Sequence, residues 1–440
     1  MEILSSRIKG FYTKTRTERL AVLQSFSNIE HSSFTSLDSG QAIDFDLYDS
    51  FIENAIGTFP LPMGIATNFK VNNEDYLVPM AVEESSVIAA ASNAAKWIYK
   101  TGGFSVDTPE QIMIGQIQVT NIEKGELEST KELILANKEK LIDSVNKIHP
   151  RLVQRGGGAI DLDVRIIDQP SRPFLVVHLH INTCEAMGAN LINTACESLA
   201  PQIEIISGGR VLLRILSNLA SERVFKARCK VLPEDLEPKD ANLKSSMSGS
   251  EIAKRIVEAY EFADHDPYRA ATHNKGIMNG VDPVVIATGN DWRAIEAGAH
   301  SYAAQSGRYR SLTTWNYDGD YLHGTLEIPL QLGTVGGVTR LHPTAQTALA
   351  IMKKPNVKTL GAIIASAGLA SNLAALRALT TAGIQKGHMK LHAKNIALSV
   401  GAKGDEIEIV AKQLFIKKQV NIDTAKEVLN MIRSGSNVSI

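Results

Sequence analysis

With 440 residues, 44% hydrophobic and 21% charged, the chain exceeds the size at which a single core stops growing, so two or three domains are expected. A formal net charge of −1 and a pI near 6.8 argue against a general nucleic-acid binder, which carries a basic excess. Three cysteines, Cys184, Cys196 and Cys229, form no CxxC or metal spacing, which excludes a disulfide framework and suits a reducing compartment.

The first stretch, MEILSSRIKGFYTKTRTERL, holds no long apolar run, so no secretory leader is expected. Residues 1 to about 50 are polar and helical with loop breaks, and Lys14, Arg16 and Arg19 are assigned to solvent. Glu53-Asn54-Ala55-Ile56-Gly57 then leads into Thr58 to Gly64, an extended segment punctuated by Pro60 and Pro62. A strand is predicted at Tyr76 to Met80. Val82 to Ser86 then opens a helix whose Val87, Ile88, Ala91, Ala95 and Ile98 recur at helical spacing up to Gly102-Gly103. Glu83 and Glu84 suit the positive end of that helix, and a second carboxylate where one would suffice leaves room for a general acid.

From Gln111 to Ser217 the pattern is strand (112–120), helix (about 129–148), strand (160–168), strand (174–181), helix (about 189–205), strand (211–217). That β-α-β-β-α-β order is the ferredoxin-like, split βαβ unit. The turn Cys184 to Asn190 feeds a helix start, where backbone N–H groups can hold a pyrophosphate or Gly188 simply makes the bend. His178 and His180 share a strand face at a spacing a metal could use. With no third ligand apparent nearby they are assigned to a hydrogen-bonded sheet face, and no metal is expected. Neither GxGxxG after a strand nor GxxxxGK occurs.

Beyond Ser248, a helix capped at Ser250 carries Ile252, Ile256, Val257 and Tyr260. Arg269, His273, Asn274, Lys275 and Asn279 crowd polar donors into a glycine-containing turn, a density that a plain core segment avoids. Val284 to Ala287 reads as a short buried strand, and Gly289-Asn290-Asp291 closes it before a helix from Trp292 to about Gln305. Asp291 therefore either caps that helix or serves chemistry at a strand's carboxyl end. A lysine held near such a carboxylate can stabilise an oxyanion or donate a proton. A strand at Thr325 to Leu330 precedes a glycine-rich loop from Gly333 to Thr339. The apolar tract Leu360 to Ile384 contains Ser366, Ser371, Asn372 and Arg377, and is expected to be a buried helix or helix pair rather than a membrane span. Last, Gly383 and Gly387 flank a segment leading to His388, suited to a mobile flap, before helical stretches at Asp405 to Lys417 and Ile422 to Ile432.

Seven motifs in order, Glu53 to Gly57, Pro79 to Ser85, Glu185 to Asn190, His273 to Ile277, Thr288 to Asp291, Gly333 to Gly337 and Gly387 to Met389, resemble 3-hydroxy-3-methylglutaryl-coenzyme A (HMG-CoA) reductase in its soluble, bacterial class II form. The resemblance implies an α+β protein. Its large domain mixes helices and sheet over 1–110 and 219–380, with a ferredoxin-like NAD(P)-binding domain inserted at 111–218 and a helical flap at 381–440. It implies reduction of HMG-CoA to mevalonate and coenzyme A by two NADH or NADPH, or the reverse, without a metal. Lys275 matches the oxyanion-holding lysine, Glu84 the acid for the aldehyde oxygen, Asp291 the carboxylate tuning both, and His388 the donor to the coenzyme A thiolate. Ser86, Arg269 and Asn279 match the grip on the hydroxymethylglutaryl part. Glu185, Ala186, Met187, Gly188, Ala189, Asn190 and Asn218 match the cofactor contacts, although Glu185 stands where the family usually has Asp. A cytoplasmic homodimer or higher oligomer with an interfacial active site follows, with no nucleic-acid or membrane partner. Two rivals are a Schiff-base lyase on Lys275 and an RNA-binding use of the split βαβ unit, whose strands lack the aromatic-rich RNA-binding pattern.

Overall fold

The computed structural model describes residues 5–37, 45–238, 247–381, 393–417 and 419–434. It is a mixed helix-and-sheet protein with two large hydrophobic cores, one for each of two sheet-containing units. Strands β1 (Met63–Val71) and β2 (Glu74–Ala81) form an antiparallel hairpin. Its turn residues Asn72 and Asn73 both take positive φ, 47° and 71°, the conformation that a tight two-residue hairpin needs. The helix Val87–Tyr99 buries Ala91, Ala94, Ala95 and Ile98, and the chain leaves it where Gly103, at φ 92°, donates its N–H to the Ile98 carbonyl.

Strand β3 (Ser105–Asp107) leads out of this unit into the next. There, strands β4 (Ile112–Thr120), β5 (Gly158–Ile167), β6 (Phe174–Asn182) and β7 (Arg210–Leu216) pair antiparallel in the order β5-β6-β4-β7. The two helical segments between them, Leu127–Ala136 with Lys138–Ile148 and then Ala189–Ser207, share one face of the sheet. Alternation predicted these strands to within two residues. The single helix expected over about 129–148 is two helices, parted at Asn137. Leu162, Val164, Leu175, Val177, Leu179 and Ile181 turn to the helices and form a core of their own.

The chain then returns to the first unit through β8 (Val224–Val231), which joins β3, β10 (Leu322–Pro329) and β9 (Thr313–Tyr317) in the order β3-β8-β10-β9. Over this sheet lie the helices Gly249–His265, Pro267–Ala287 and Val357–Thr380. The first is capped by Ser248, which accepts from Glu251 N–H, and not by Ser250. The second is the main departure from expectation. Residues 267–287 form one helix of 21 residues instead of a polar turn and a strand. Asp266 caps it through Arg269 N–H and Pro267 occupies its first turn, a strong start signal. The apolar run that mimicked a strand, Val284 and Val285 included, is its buried last turn. Val357–Thr380 is long and apolar enough to cross a membrane by composition, yet 83% of its most apolar window is buried inside the protein, as expected for a core helix. Helices Asp405–Ile416 and Ile422–Arg433 share a third, small core.

Candidate active site

Lys275 lies midway along the Pro267–Ala287 helix, and Glu84 lies in the turn between β2 and the Val87–Tyr99 helix. The fold brings them together across 191 residues of chain: Lys275 Nζ donates to Glu84 Oε2 at 2.9 Å. Glu84 thus faces the lysine rather than capping its own helix. Next to it Ser86 holds a positive φ of 77° and makes no side-chain cap bond, a conformation costly for a non-glycine residue and frequent at functional sites. Asn279 stands one turn beyond Lys275 on the same helix face. Arg269 lies nearer the start of that helix. It is half-buried, burial depresses its guanidinium, and among the described residues no carboxylate forms an ion pair with it, so it can accept a ligand's carboxylate.

The other polar residues of this stretch have a different task. His273 is buried, bonds Thr313 Oγ1 at 2.7 Å and Asn372 at 3.0 Å, and is pushed down to about 3 by burial and the neighbouring Arg269. Asn274 donates to Arg310 O and accepts from Leu312 N–H. These two fix the helix to the sheet, which explains the density of donors without assigning them chemistry.

Asp291 ends no strand. It caps the Trp292–Ala303 helix, accepting from Ala294 N–H at 3.1 Å, and lies 3.4 Å from Arg293 Nε. Among the described residues no ion pair joins it to Lys275. Its turn is bolted to the glycine-rich loop, because Asn290 Oδ1 accepts from Gly333 N–H at 2.8 Å and Thr339 Oγ1 donates to Gly289 O. His388 lies outside the described residues.

Gly188, at φ 98°, precedes the Ala189–Ser207 helix and supplies no side-chain cap, leaving the first N–H groups open. A Cβ there would meet Thr183 Cγ2 at 2.5 Å, so glycine is required by both φ and space. Beside it a cavity of about 990 Å³ is lined by His149, Arg151, Arg155, Cys184, Ala186 and Val335. That size suits a small-molecule ligand. Glu185 also lines this cavity, and its Oε2 accepts from Thr334 Oγ1 at 2.6 Å and from Val357 N–H at 2.8 Å, at the start of the long core helix. Asn218 is exposed, and its carbonyl accepts from Gln331.

Two residues of consequence carried no sequence signal. Arg223 is fully buried and depressed by burial to about 9, so still charged at neutral pH. It donates to Gln111 Oε1, Met187 O and Leu332 O, tying the start of β4, the Gly188 turn and the end of β10 into one joint. Asp282, three residues past Asn279, is raised to about 8 by burial and by its hydrogen bond with Glu296, which His300 and Asp282 hold low. A carboxyl raised in the fold contributes stability that is complete below its ordinary value of 3.8 and is lost as pH rises through about 8. Thermal denaturation of the parent is therefore expected to show Tm falling between about pH 4 and about pH 8, and Asp282→Asn, neutral and of the same shape, to flatten that fall. An identical fall in both proteins would place that pH dependence elsewhere.

Residues 15–393 match a family model described as hydroxymethylglutaryl-coenzyme A reductase. A 3-hydroxy-3-methylglutaryl-coenzyme A reductase of Archaeoglobus fulgidus is 47% identical over 432 residues, 98% of this chain and 96% of its own. A probable reductase of the same name from Borreliella burgdorferi is 34% identical over 98% of each chain. Among solved structures, the Streptococcus pneumoniae reductase superposes with a TM-score of 0.80 at 41% identity, over 97% of this chain and 99% of that one. A structure of the class II enzyme from that organism, bound to NADPH in open conformations, gives a TM-score of 0.78 at 41% identity, over 96% and 100% of the two chains.

Proposed function

The chain belongs to the hydroxymethylglutaryl-coenzyme A reductase family, and from that premise we propose that Lys275 and Glu84 are the centre at which it reduces HMG-CoA to mevalonate and coenzyme A. The observation that carries this is the 2.9 Å Lys275–Glu84 hydrogen bond. An ammonium has three donors, so Lys275 can hold Glu84 and still donate to a thioester oxygen on which negative charge develops. Glu84, one hydrogen bond away, is then placed to pass a proton to that oxygen when the aldehyde is reduced. Arg269 grips the free carboxylate of the hydroxymethylglutaryl group, with Ser86 and Asn279 beside it. The assignments of Asp291 as the tuning carboxylate and of His388 as proton donor to the departing thiolate rest on the motif resemblance. A thiolate needs a donor of near-neutral pKa, which histidine supplies.

A relative binds NADPH, and the uncapped helix start at Ala189 with the cavity beside Arg151 and Arg155 fits a phosphate-bearing nicotinamide cofactor. When bound, NADH or NADPH supplies one hydride to each of the two reductions. Met187, Gly188, Ala189 and Asn190 approach it from the turn, Ala186 from the cavity wall and Asn218 from the strand end. Glu185 lines the same cavity, where its Oε2, bonded to Thr334 and Val357, also fixes the turn.

Residues 111–218 are the ferredoxin-like cofactor domain in this scheme, 1–110 with 219–380 the substrate domain, and 381–440 the flap. The Lys275 and Glu84 side chains are 61% and 38% exposed, which leaves a site in need of cover. A second subunit and the flap would provide it, in a cytoplasmic homodimer or an assembly of dimers. Following the near-ultraviolet absorbance of NADH and NADPH with HMG-CoA, and of their oxidised forms with mevalonate and coenzyme A, tests reaction and cofactor together. Two equivalents oxidised per HMG-CoA is the expected stoichiometry; no consumption of either cofactor would overturn the assignment.

A further inference from the structure

On the face of the β5-β6-β4-β7 sheet turned away from its helices, three side chains converge that the reductase chemistry does not use. His178 and His180 alternate with the core residues Val177, Leu179 and Ile181 along β6, and so share the outer face. Asp163 on β5 stands opposite His178 in the register. The third ligand that a search near the two histidines in sequence does not find is therefore supplied across the sheet. One ligand atom from each of Asp163, His178 and His180 lies within 4.8 Å of the others. Asp163 Oδ2 is 2.7 Å from His180 Nε2 and 3.9 Å from His178 Nδ1.

The surroundings of this trio are those of a built site. His178 and His180 are 12% and 10% exposed at the side chain, whereas Asp163 is 46% exposed, giving two ordered imidazoles and an open side for entry and for water. Behind each imidazole stands a group that fixes its far nitrogen. Glu222 meets His180 Nδ1, and the Gln116 side-chain amide lies 3.0 Å from His178 Nε2. Turning that amide end for end presents its oxygen to a His178 Nε2–H, leaving Nδ1 free toward Asp163. Carboxylates and amides in this position orient metal-ligating histidines and raise their basicity.

We propose that Asp163, His178 and His180 form a divalent transition-metal site, with Glu222 and Gln116 orienting the two imidazoles. Two nitrogens and one carboxylate oxygen suit Zn²⁺ or Co²⁺ over Mg²⁺ or Ca²⁺, which prefer all-oxygen sets. Ligand distances of about 2.0–2.2 Å need Asp163 to part slightly from His180 and His178 to close on the ion from its 3.9 Å separation from Asp163. The site involves none of the residues assigned to HMG-CoA or to the cofactor, so it stands or falls independently of the reductase assignment.

The test uses the full chain, free of affinity tag and stripped with a chelator, titrated with Zn²⁺ by calorimetry and with Co²⁺ by visible absorption. One equivalent per chain is expected, with Co²⁺ bands of a nitrogen- and oxygen-ligated ion. Asp163→Asn and His178→Gln should each weaken binding by more than about 10-fold, and Glu222→Gln by about 10-fold. Circular dichroism identifies any variant that fails to fold, and the half-exposed Asp163 gives a substitution that the fold tolerates. No saturable binding, or binding unchanged in both Asp163→Asn and His178→Gln, overturns the proposal.

Discussion

Lys275→Ala is expected to lower turnover of HMG-CoA by at least about 10³-fold, the scale on which removal of an oxyanion donor or a general acid is felt. The same change should leave Tm almost untouched. Its hydrogen-bonded partner Glu84 is 38% exposed and the lysine itself 61%, and ion pairs in such surroundings contribute about 0–1 kcal/mol. The two effects therefore separate cleanly, because a lysine that merely held the fold would show the reverse pattern. Binding of coenzyme A, followed by calorimetry, should also survive, since the ammonium is assigned to the carbonyl and not to the nucleotide part. Turnover within about 10-fold of the parent would remove Lys275 from the chemistry. Borohydride trapping of substrate on Lys275 in the parent would instead favour the Schiff-base rival.

The β4–β7 unit was largely legible in its sequence, and the Pro267–Ala287 helix was not, for a physical reason. Strands β4 to β7 bury one face each, so apolar residues alternate and betray the period. The Pro267–Ala287 helix is packed by Val357–Thr380, the Val87–Tyr99 helix and the sheet, so it has no clean stripe. Its Gly276, Gly280 and Pro283 also lower local helix propensity. A short β-branched run at its end then passes for a strand. Contact with its neighbours, and the Asp266 cap, override that preference. Long-range partners were invisible for another reason. Nothing near Glu84 announces Lys275, nothing near His180 announces Asp163 or Glu222, and Arg223 looks like any surface arginine until three acceptors converge on it. Local pattern marked Glu84, Lys275, Asp291 and His388 as candidates beside blander readings, and their roles came only from several short motifs in a fixed order, an argument from resemblance rather than from periodicity.

The same helix crossing makes the second large prediction. Gly280 lies where Pro267–Ala287 crosses Val357–Thr380, and a Cβ at that position would sit 2.2 Å from Ala367 O and 2.9 Å from Gly368 N. Both are backbone atoms, so no side chain can swing aside. Gly280→Ala gains about 1 kcal/mol in helix propensity. Against this, the helices must part by roughly an ångström along a well-packed core, and such overpacking costs about 1–3 kcal/mol, occasionally more. A clash with main chain falls at the upper end, so a net loss of about 2 kcal/mol is expected, or a Tm lower by about 4–8 °C. Gly276, one turn earlier on the same helix, is the control. A Cβ there is 4.0 Å from Ala375 Cβ, ordinary contact, so Gly276→Ala should leave Tm unchanged or raise it slightly. Because Gly280 sits between Asn279 and the buried Val281, parting the helices also displaces the face that presents Lys275 toward Glu84. Gly280→Ala should consequently lose activity even at temperatures where circular dichroism shows it fully folded. Equal Tm values for the two glycine variants would mean that the crossing is looser than these distances describe.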